Sequence, residues 1–359
     1  MPEPELAEPL TEGARILTIC NACRYCEGYC AVFPAMERRS HFSPADLNYL
    51  ANLCHNCAEC YYACQYAPPH PFAVNVPKTL TEIRVASYRQ YAWPGPAGAW
   101  LGTAAFFAGL VIWTIAERGR GAPSNAADFY AVIPHSIMAG ISSVFSIMVL
   151  GLIAAGAARF WRESNERFSG LLNASVIPQA ARDALSLRYL GGDGHGCTYP
   201  DEHRSTSRWL LHHATFYGFL LCFASTTIAA VYHYALGRRA PYPYFSLPVV
   251  LGTVGGIGLL IGPAGLWRLK QRQDSAMRVR EQNQMDRPFI ALLFLTSASG
   301  LALLALRETA AMRWLLALHL AIVLAFFVTL PYGKFVHAIY RAAALLRYAL
   351  ERSREEKST

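Results

Sequence analysis

The sequence predicts an all-α membrane protein in which a polar, cysteine-rich N-terminal domain precedes a bundle of six transmembrane helices. Of the 359 residues, 53% are hydrophobic and only 16% are charged, against about a quarter in typical soluble domains. Eight of the ten cysteines precede residue 96, and six long stretches beyond it lack Asp, Glu, Lys and Arg. The apolar content excludes a disordered chain, and the clustering of the cysteines in so long a chain excludes a small disulfide scaffold.

Residues 1–96 form the predicted N-terminal domain and carry 7 Lys and Arg against 9 Asp and Glu. The segment begins MPEPELAEPL, which has neither the basic start nor the apolar core of a secretory signal peptide. We therefore expect this domain to stay in the cytoplasm. After Pro94 the composition becomes strongly apolar, and we assign residues 97–337 to a membrane domain.

Six stretches are long enough to cross a bilayer as helices, which takes about 20 residues. They cover residues 97–116, 129–158, 209–237, 245–267, 288–306 and 314–333. The even number places both termini on the same side of the membrane. A long loop at 159–208 separates the second span from the third, and a basic tail at 338–359 follows the last span.

The basic residues predict the orientation of the bundle. With the N-terminus inside, the inner segments 159–208, 268–287 and 334–359 hold 19 Lys and Arg, whereas the outer loops 117–128, 236–244 and 307–313 hold 6. The positive-inside rule therefore places both termini, the long loop and the tail in the cytoplasm. The net charge of +8 reflects this topology, since no basic–aromatic pattern indicates binding to nucleic acid.

Two cysteine runs with the spacing C-x-x-C-x-x-C-x-x-x-C predict iron–sulfur chemistry. The first run is CNACRYCEGYC and the second is CHNCAECYYAC. In bacterial ferredoxins with this spacing, three close thiolates and the last thiolate of the other run bind one [4Fe–4S] cluster. We therefore assign one cluster to Cys20, Cys23, Cys26 and Cys64, and the second to Cys54, Cys57, Cys60 and Cys30. The alternative is zinc, which normally uses two C-x-x-C pairs and fits these runs poorly.

Six histidines lie in or at the edges of the predicted spans, where ionisable side chains are functional candidates. Imidazoles on facing helices can hold haem. His319 and His337 are 18 residues apart, which is five turns of one helix and about 27 Å along its axis. This spacing predicts one or two b-type haems, with one histidine near each face of a hydrocarbon core about 30 Å thick.

The partner of each histidine follows from its predicted depth in the membrane. His337 lies at the inner end of its span, as do His212 and His213. If one helix supplies both haems, His212 is the better inner ligand, because it is closer in rotation to His233 at the outer end. His319 could then pair with His135 or with His233, and both alternatives remain open.

The motifs CRYCEGYCAVFPAM, CHNCAECYYACQYAPPHPFAVNVP and HHATFYGFLLCFAST resemble the tricarballylate-utilisation or citrate-utilisation protein B family over nearly the whole chain. The last span is also similar to the cytochrome b subunit of respiratory nitrate reductase, whose final helix carries two haem histidines, here His319 and His337. In the second span His135 aligns with a ligand of that subunit, but Phe145 stands where a second histidine is expected.

This resemblance implies an electron carrier in the bacterial inner membrane. A partner flavoprotein, an FAD-dependent tricarballylate dehydrogenase, would be reoxidised through the two clusters and b-type haem, and membrane quinone would accept the electrons. The N-terminal domain shows no G-x-G-x-x-G motif, so nothing indicates that this chain binds its own dinucleotide. A membrane redox sensor or an assembly anchor, which reduces no quinone, is the alternative.

Cys197 is a further cysteine, in the long loop beside a glycine-rich stretch. We expect it to face the cytoplasm. The loop is interpreted either as a docking element against the cluster domain or the flavoprotein, or as a flexible connection.

Overall fold

The computed structural model of the protein describes residues 4–91, 98–118, 128–191 and 197–357. In these ranges the structure is almost entirely helical, as predicted, and the extended residues form only an isolated bridge between Cys197 and Ser205. The predicted domain boundary at residues 96 and 97 lies outside the described residues, as does the glycine-rich stretch at 192–196.

Five helices form the N-terminal domain: α1 (Pro4–Cys23), α2 (Val32–Glu37), α3 (Pro44–Leu53), α4 (Glu59–Tyr62) and α5 (Val76–Tyr91). The start of α3 is sharply defined, because Ser43 and Asp46 form a capping box and Pro44 occupies the first helical position. The cysteines lie where helices end or begin. Cys23 ends α1, Cys54 caps α3 at its C-terminus, and Cys60 lies in α4.

The membrane domain contains α6 (Gly98–Arg118), α7 (Phe129–Val132), α8 (His135–Glu163), α9 (Ile177–Leu185), α10 (Ser207–Tyr234), α11 (Leu247–Gln271), α12 (Arg280–Ala305) and α13 (Met312–Thr329). Five of the described segments are long and apolar enough to cross a membrane: α8, α10, α11, α12 and α13 with its continuation to Tyr332. In α6 the apolar segment Gly102–Trp113 is shorter. The chain is thus an all-α membrane protein, and the predicted count of six spans remains a prediction.

Small residues bring α10 and α11 into close contact. A Cβ atom added to Gly255 would lie 2.7 Å from the backbone oxygen of Gly218, and one added to Gly258 would lie 2.9 Å from that of Ala214. Packing of this kind is typical of membrane helices, which gain stability from close backbone approach. The glycines of α11 therefore act as packing residues.

The last predicted span does not continue as one helix to His337. The α13 helix ends at Thr329, a single 3₁₀ turn covers Leu330–Tyr332, and α14 (Val336–Glu355) begins beyond Gly333. Pro331 lacks the N–H that an α-helix requires at this position, and Gly333 is extended. The five-turn relation between His319 and His337 is therefore wrong, because the two residues lie on different helices.

The C-terminal segment, expected as a basic tail, shares a core with the N-terminal domain. Tyr340 of α14 packs on Tyr88 of α5, with ring centroids 5.0 Å apart. Glu351 accepts hydrogen bonds from Arg39, at 2.5 Å, and from Arg347, at 3.1 Å. These contacts join α14 to the N-terminal domain.

Candidate cofactor-binding site

Five cysteines from both runs line one cavity in the N-terminal domain. They are Cys20, Cys23, Cys26, Cys60 and Cys64, and most of the other lining residues are apolar or aromatic. Burial, followed by the charges of the Cys64, Cys26 and Cys23 thiols, raises the pKa of the Cys20 thiol to about 12. All of these cysteines except Cys60 are assigned by the sequence to the first cluster, and those four are called the first thiol group below.

The other four cysteines form the second thiol group, which consists of Cys30, Cys54, Cys57 and Cys60. Burial, and then the Cys57 and Cys54 thiols, raises the pKa of the Cys30 thiol well above its usual value. Burial is also the main cause that raises the pKa of the Cys60 thiol. The other thiols of the second group come next, followed by Cys26 of the first group. The two groups therefore adjoin, and the assignment of each set of four to one cluster remains a prediction.

Backbone N–H groups point at the thiols of the second group. The N–H of Asn56 donates to Cys54 Sγ at 3.4 Å. Val32 and Phe33 donate to Cys30, and Glu59 donates to Cys57. Positive φ angles turn the loop backbone beside each run, at Arg24, Asn56 and Ala58. Such turns can direct successive N–H groups towards an anion.

This donor set fits iron–sulfur clusters. Four thiols form each group, as a [4Fe–4S] cluster requires, and the N–H donors stabilise the thiolate form that binds iron. Burial raises the pKa of five of the free thiols, those of Cys20, Cys26, Cys30, Cys57 and Cys60, so cluster binding must release their protons. Within the described ranges, no group of three or more His, Cys, Asp or Glu side chains is arranged to hold a metal ion, so the fit rests on the number and type of the donors.

His212 of α10 and His337 of α14 lie beside each other, with ring centroids 6.0 Å apart and planes inclined by 65°. Two imidazoles that bind one metal ion from opposite sides through bonds of about 2 Å have centroids roughly 6 Å apart. The Nδ1 of His337 lies 2.5 Å from the carbonyl oxygen of Lys334. A carbonyl only accepts, so Nδ1 carries the proton and Nε2 keeps the lone pair that binds metal. This pair fits an axial ligation of haem.

His213 points away from this pair, as expected. Its Nδ1 lies 3.0 Å from the carbonyl oxygen of Trp209, and its ring stacks against Tyr217.

The outer histidines are arranged differently from the prediction. His135 and His233 stack on each other, with ring centroids 3.8 Å apart and planes 18° from parallel. His319 instead places its Nδ1 2.9 Å from Ser299 Oγ. The stacked rings are closer than two ligands on opposite sides of one metal ion, so this arrangement does not fit a second haem between them. The predicted pairing of His319 with either residue is not seen in the described part of the chain.

Cys197, which we expected to face the cytoplasm, is buried, and so is His55. The Cys197 thiol is close enough to Cys57 to contribute to the raised pKa of the Cys57 thiol, after burial. The neighbouring Thr198 hydroxyl donates to the carbonyl oxygen of Cys57 at 3.5 Å, and Arg204 pairs with Glu59 at 2.9 Å. The long loop therefore packs against the second thiol group, which favours its interpretation as a docking element.

Two sets of charged residues were missed by the sequence reasoning. Asp286 lies between two lysines: its Oδ1 is 3.0 Å from Lys334 Nζ, and its Oδ2 pairs with Lys270. Lys334 also supplies the carbonyl that orients His337, so this ion cluster helps to fix the histidine pair.

The second set of charged residues consists of three arginines around the Cys54–Asn56 loop. The only signal in the sequence was spacing, because Arg208 precedes His212 by four residues and Arg341 follows His337 by four.

Comparison with known proteins agrees with this site. Residues 13–90 match the citrate utilization protein B Fer4-like domain, and residues 102–358 match citrate utilization protein B. A relative from Escherichia coli, citrate utilization protein B, is 48% identical over 364 residues, which cover 98% of this chain and 95% of the relative. No solved structure matches the chain. The chain therefore belongs to the citrate utilization protein B family, and its Fer4-like domain with two thiol groups indicates an iron–sulfur electron-transfer role.

Proposed function

We propose that this protein reoxidises a partner FAD-dependent dehydrogenase and passes the electrons through two [4Fe–4S] clusters and b-type haem to membrane quinone. The family resemblance suggests that the dehydrogenase acts on tricarballylate. The name of the Escherichia coli relative is consistent with the use of such a tricarboxylic acid. We place the protein in the bacterial inner membrane with both termini in the cytoplasm. The core that α14 shares with the N-terminal domain supports the placement of both termini on one side of the membrane.

The observation that carries the proposal is the continuity of the three sites. Cys26 of the first thiol group lies close to Cys60 of the second. Arg208 and Arg341 hydrogen-bond to the loop of the second group from the helices that carry His212 and His337. Electron transfer needs neighbouring cofactors, and the candidate ligands follow one another from the N-terminal domain to the membrane domain.

Each set of residues has its own role in this proposal. The first thiol group and Cys30, Cys54, Cys57 and Cys60 bind the two clusters, and the backbone N–H groups stabilise the thiolates. His212 and His337 bind the haem iron, and the Lys334 carbonyl holds the proton of His337 on Nδ1. When bound, the clusters and haem supply reversible one-electron redox chemistry.

The test is anaerobic purification of the protein in detergent, with iron, sulfide and haem quantified per chain and a reduced-minus-oxidised visible spectrum. We expect about eight non-haem irons, a b-type haem, and reoxidation of the reduced protein by a soluble quinone analogue. Absence of the clusters would overturn the proposal. Clusters without haem or quinone reduction would instead support a redox sensor or an assembly anchor.

A further inference from the structure

Three arginines from three different helices converge on the loop Cys54–Asn56 of the second thiol group. Arg84 of α5 donates to the carbonyl oxygen of Cys54 at 2.7 Å. Arg341 of α14 donates to the same oxygen. Arg208 of α10 donates to the carbonyl oxygens of His55 and Asn56, at 2.8 and 2.7 Å. Every carbonyl of this loop therefore accepts a hydrogen bond from a guanidinium group.

Within the described ranges, none of these three arginines forms an ion pair with Asp or Glu, although Arg84 is only 4% exposed. Its other hydrogen bonds go to uncharged groups, namely Ala51, Thr81 and Gln282. Buried charges are stable only when a counter-charge or good hydrogen bonds compensate for the lost water. Asp286, which Gln282 links to Arg84, is already paired with Lys270 and Lys334. The second thiol group, once its thiols are thiolates, places negative charge at the loop that all three guanidinium groups contact.

The first thiol group has no such set of arginines in the described structure. No guanidinium is hydrogen-bonded to the carbonyl oxygens of Cys23, Cys26 or Cys64 there, and Arg24 donates to the carbonyl oxygen of Asn21 instead. The buried carboxylate of Glu59 stands between Cys57 and Cys60 in the sequence, and Arg204 compensates for its charge. The two groups therefore differ in the number of guanidinium groups placed beside them.

We propose that Arg84, Arg208 and Arg341 raise the reduction potential of the cluster at the second thiol group above that of the first, and so direct electrons towards His212 and His337. Reduction adds one negative charge to a cluster, and nearby cations stabilise that added charge. One electron leaves the first cluster, which is oxidised, and enters the second, which is reduced, with no proton transfer and no change in bonding. This inference rests on the proposed function, because it assumes that both clusters are present.

Arg208 and Arg341 are also positioning residues. Each lies four residues, about one helical turn, from the histidine on its own helix. The same two side chains therefore fix the second thiol group against the helices of His212 and His337. Their charge and their hydrogen bonds can be separated by substitution, because lysine keeps the charge and glutamine keeps a hydrogen-bond donor.

The experiment is a redox titration of the complete, cluster-loaded protein, followed by electron paramagnetic resonance. The variants are Arg208→Gln, Arg341→Gln and Arg341→Lys, and Cys23→Ser identifies the signal of the first cluster by altering it. Arg354→Gln is the matched control, since Arg354 also lies on α14 but is 61% exposed and pairs with Glu166. Arg84 is left unchanged, because its burial makes a folding defect the expected result of substitution.

In the unmodified protein we expect two midpoint potentials, with the higher one belonging to the signal that Cys23→Ser does not alter. Both glutamine variants should shift only that potential to more negative values. Arg341→Lys should keep most of the potential that Arg341→Gln loses, and Arg354→Gln should change neither potential. The inference is overturned if the first cluster has the higher potential, if both potentials fall together, or if lysine behaves as glutamine does. Absence of two cluster signals in the unmodified protein would instead refute the proposed function.

Discussion

Substitution of Gly262 by alanine should push α10 and α11 apart beside His212. A Cβ atom at this position would lie 2.7 Å from the backbone nitrogen of Thr215 and 2.8 Å from the backbone oxygen of Leu211, whereas ordinary contacts begin at 3.4 Å. Backbone atoms have no rotamer with which to avoid the new methyl group, so the helices must separate. Overpacking of this kind costs about 1–3 kcal/mol. Since His212 follows Leu211 directly, its 6.0 Å relation to His337 should be disturbed as well.

The matched control is Gly151→Ala on α8, where an added Cβ meets no atom within 4 Å. There alanine should be neutral or slightly stabilising, because it is the better helix former by about 1 kcal/mol. Thermal unfolding in detergent and the haem-to-protein ratio are measured on the same samples. Each kcal/mol should lower the melting temperature of Gly262→Ala by about 2–4 °C, with less haem retained. A melting temperature equal to that of the control would refute the reasoning.

Three further predictions concern the site. His337→Ala should abolish the haem bands of the reduced-minus-oxidised spectrum, whereas His213→Ala should retain them because His213 faces away from the pair; equal spectra would argue against this ligand assignment. Asp286→Asn should leave two partly buried lysines without their counter-charge at a cost of up to about 3 kcal/mol, and an unchanged melting temperature would contradict the prediction. Burial above all raises the pKa of the Cys20 and Cys57 thiols to about 12, so the folded iron-free protein holds protons that the unfolded chain releases above about pH 8.5. Its stability should be complete below that pH and fall as the pH rises towards 12, and thermal unfolding that does not change between about pH 8 and 11 would be inconsistent with these thiol environments.

The grouping of the cysteines could be read from the sequence because most of the information is local. Three of the thiols in each group lie within seven consecutive residues, and the spacing itself lets one loop wrap a cluster. Only the fourth member comes from the other run. Cys64 lies close to Cys20, and Cys30 lies close to Cys57, so the exchange of the last thiol stays a prediction that these positions allow.

The histidine pairs were harder to predict because depth and rotation were calculated along a straight helix. His212 and His337 lie beside each other, in agreement with their similar predicted depth. The helical arithmetic that related His337 to His319 failed, because the chain breaks at Pro331 and Gly333 and resumes as a helix that packs on the N-terminal domain. A single proline in an apolar segment does not indicate that the next helix packs in the core of the N-terminal domain.

The sequence by itself determined the helical membrane class, the two iron–sulfur runs and the inner histidines, since hydropathy, spacing and residue type are properties of short segments. The tertiary structure alone decided that His135 stacks on His233, that Cys197 is buried beside Cys57, and that Arg84, Arg208 and Arg341 meet at one loop. The three arginines are separated by more than 120 residues from one to the next. Their convergence depends on how α5, α10 and α14 pack together, and the charge that they place beside the second thiol group is therefore a property of the folded chain.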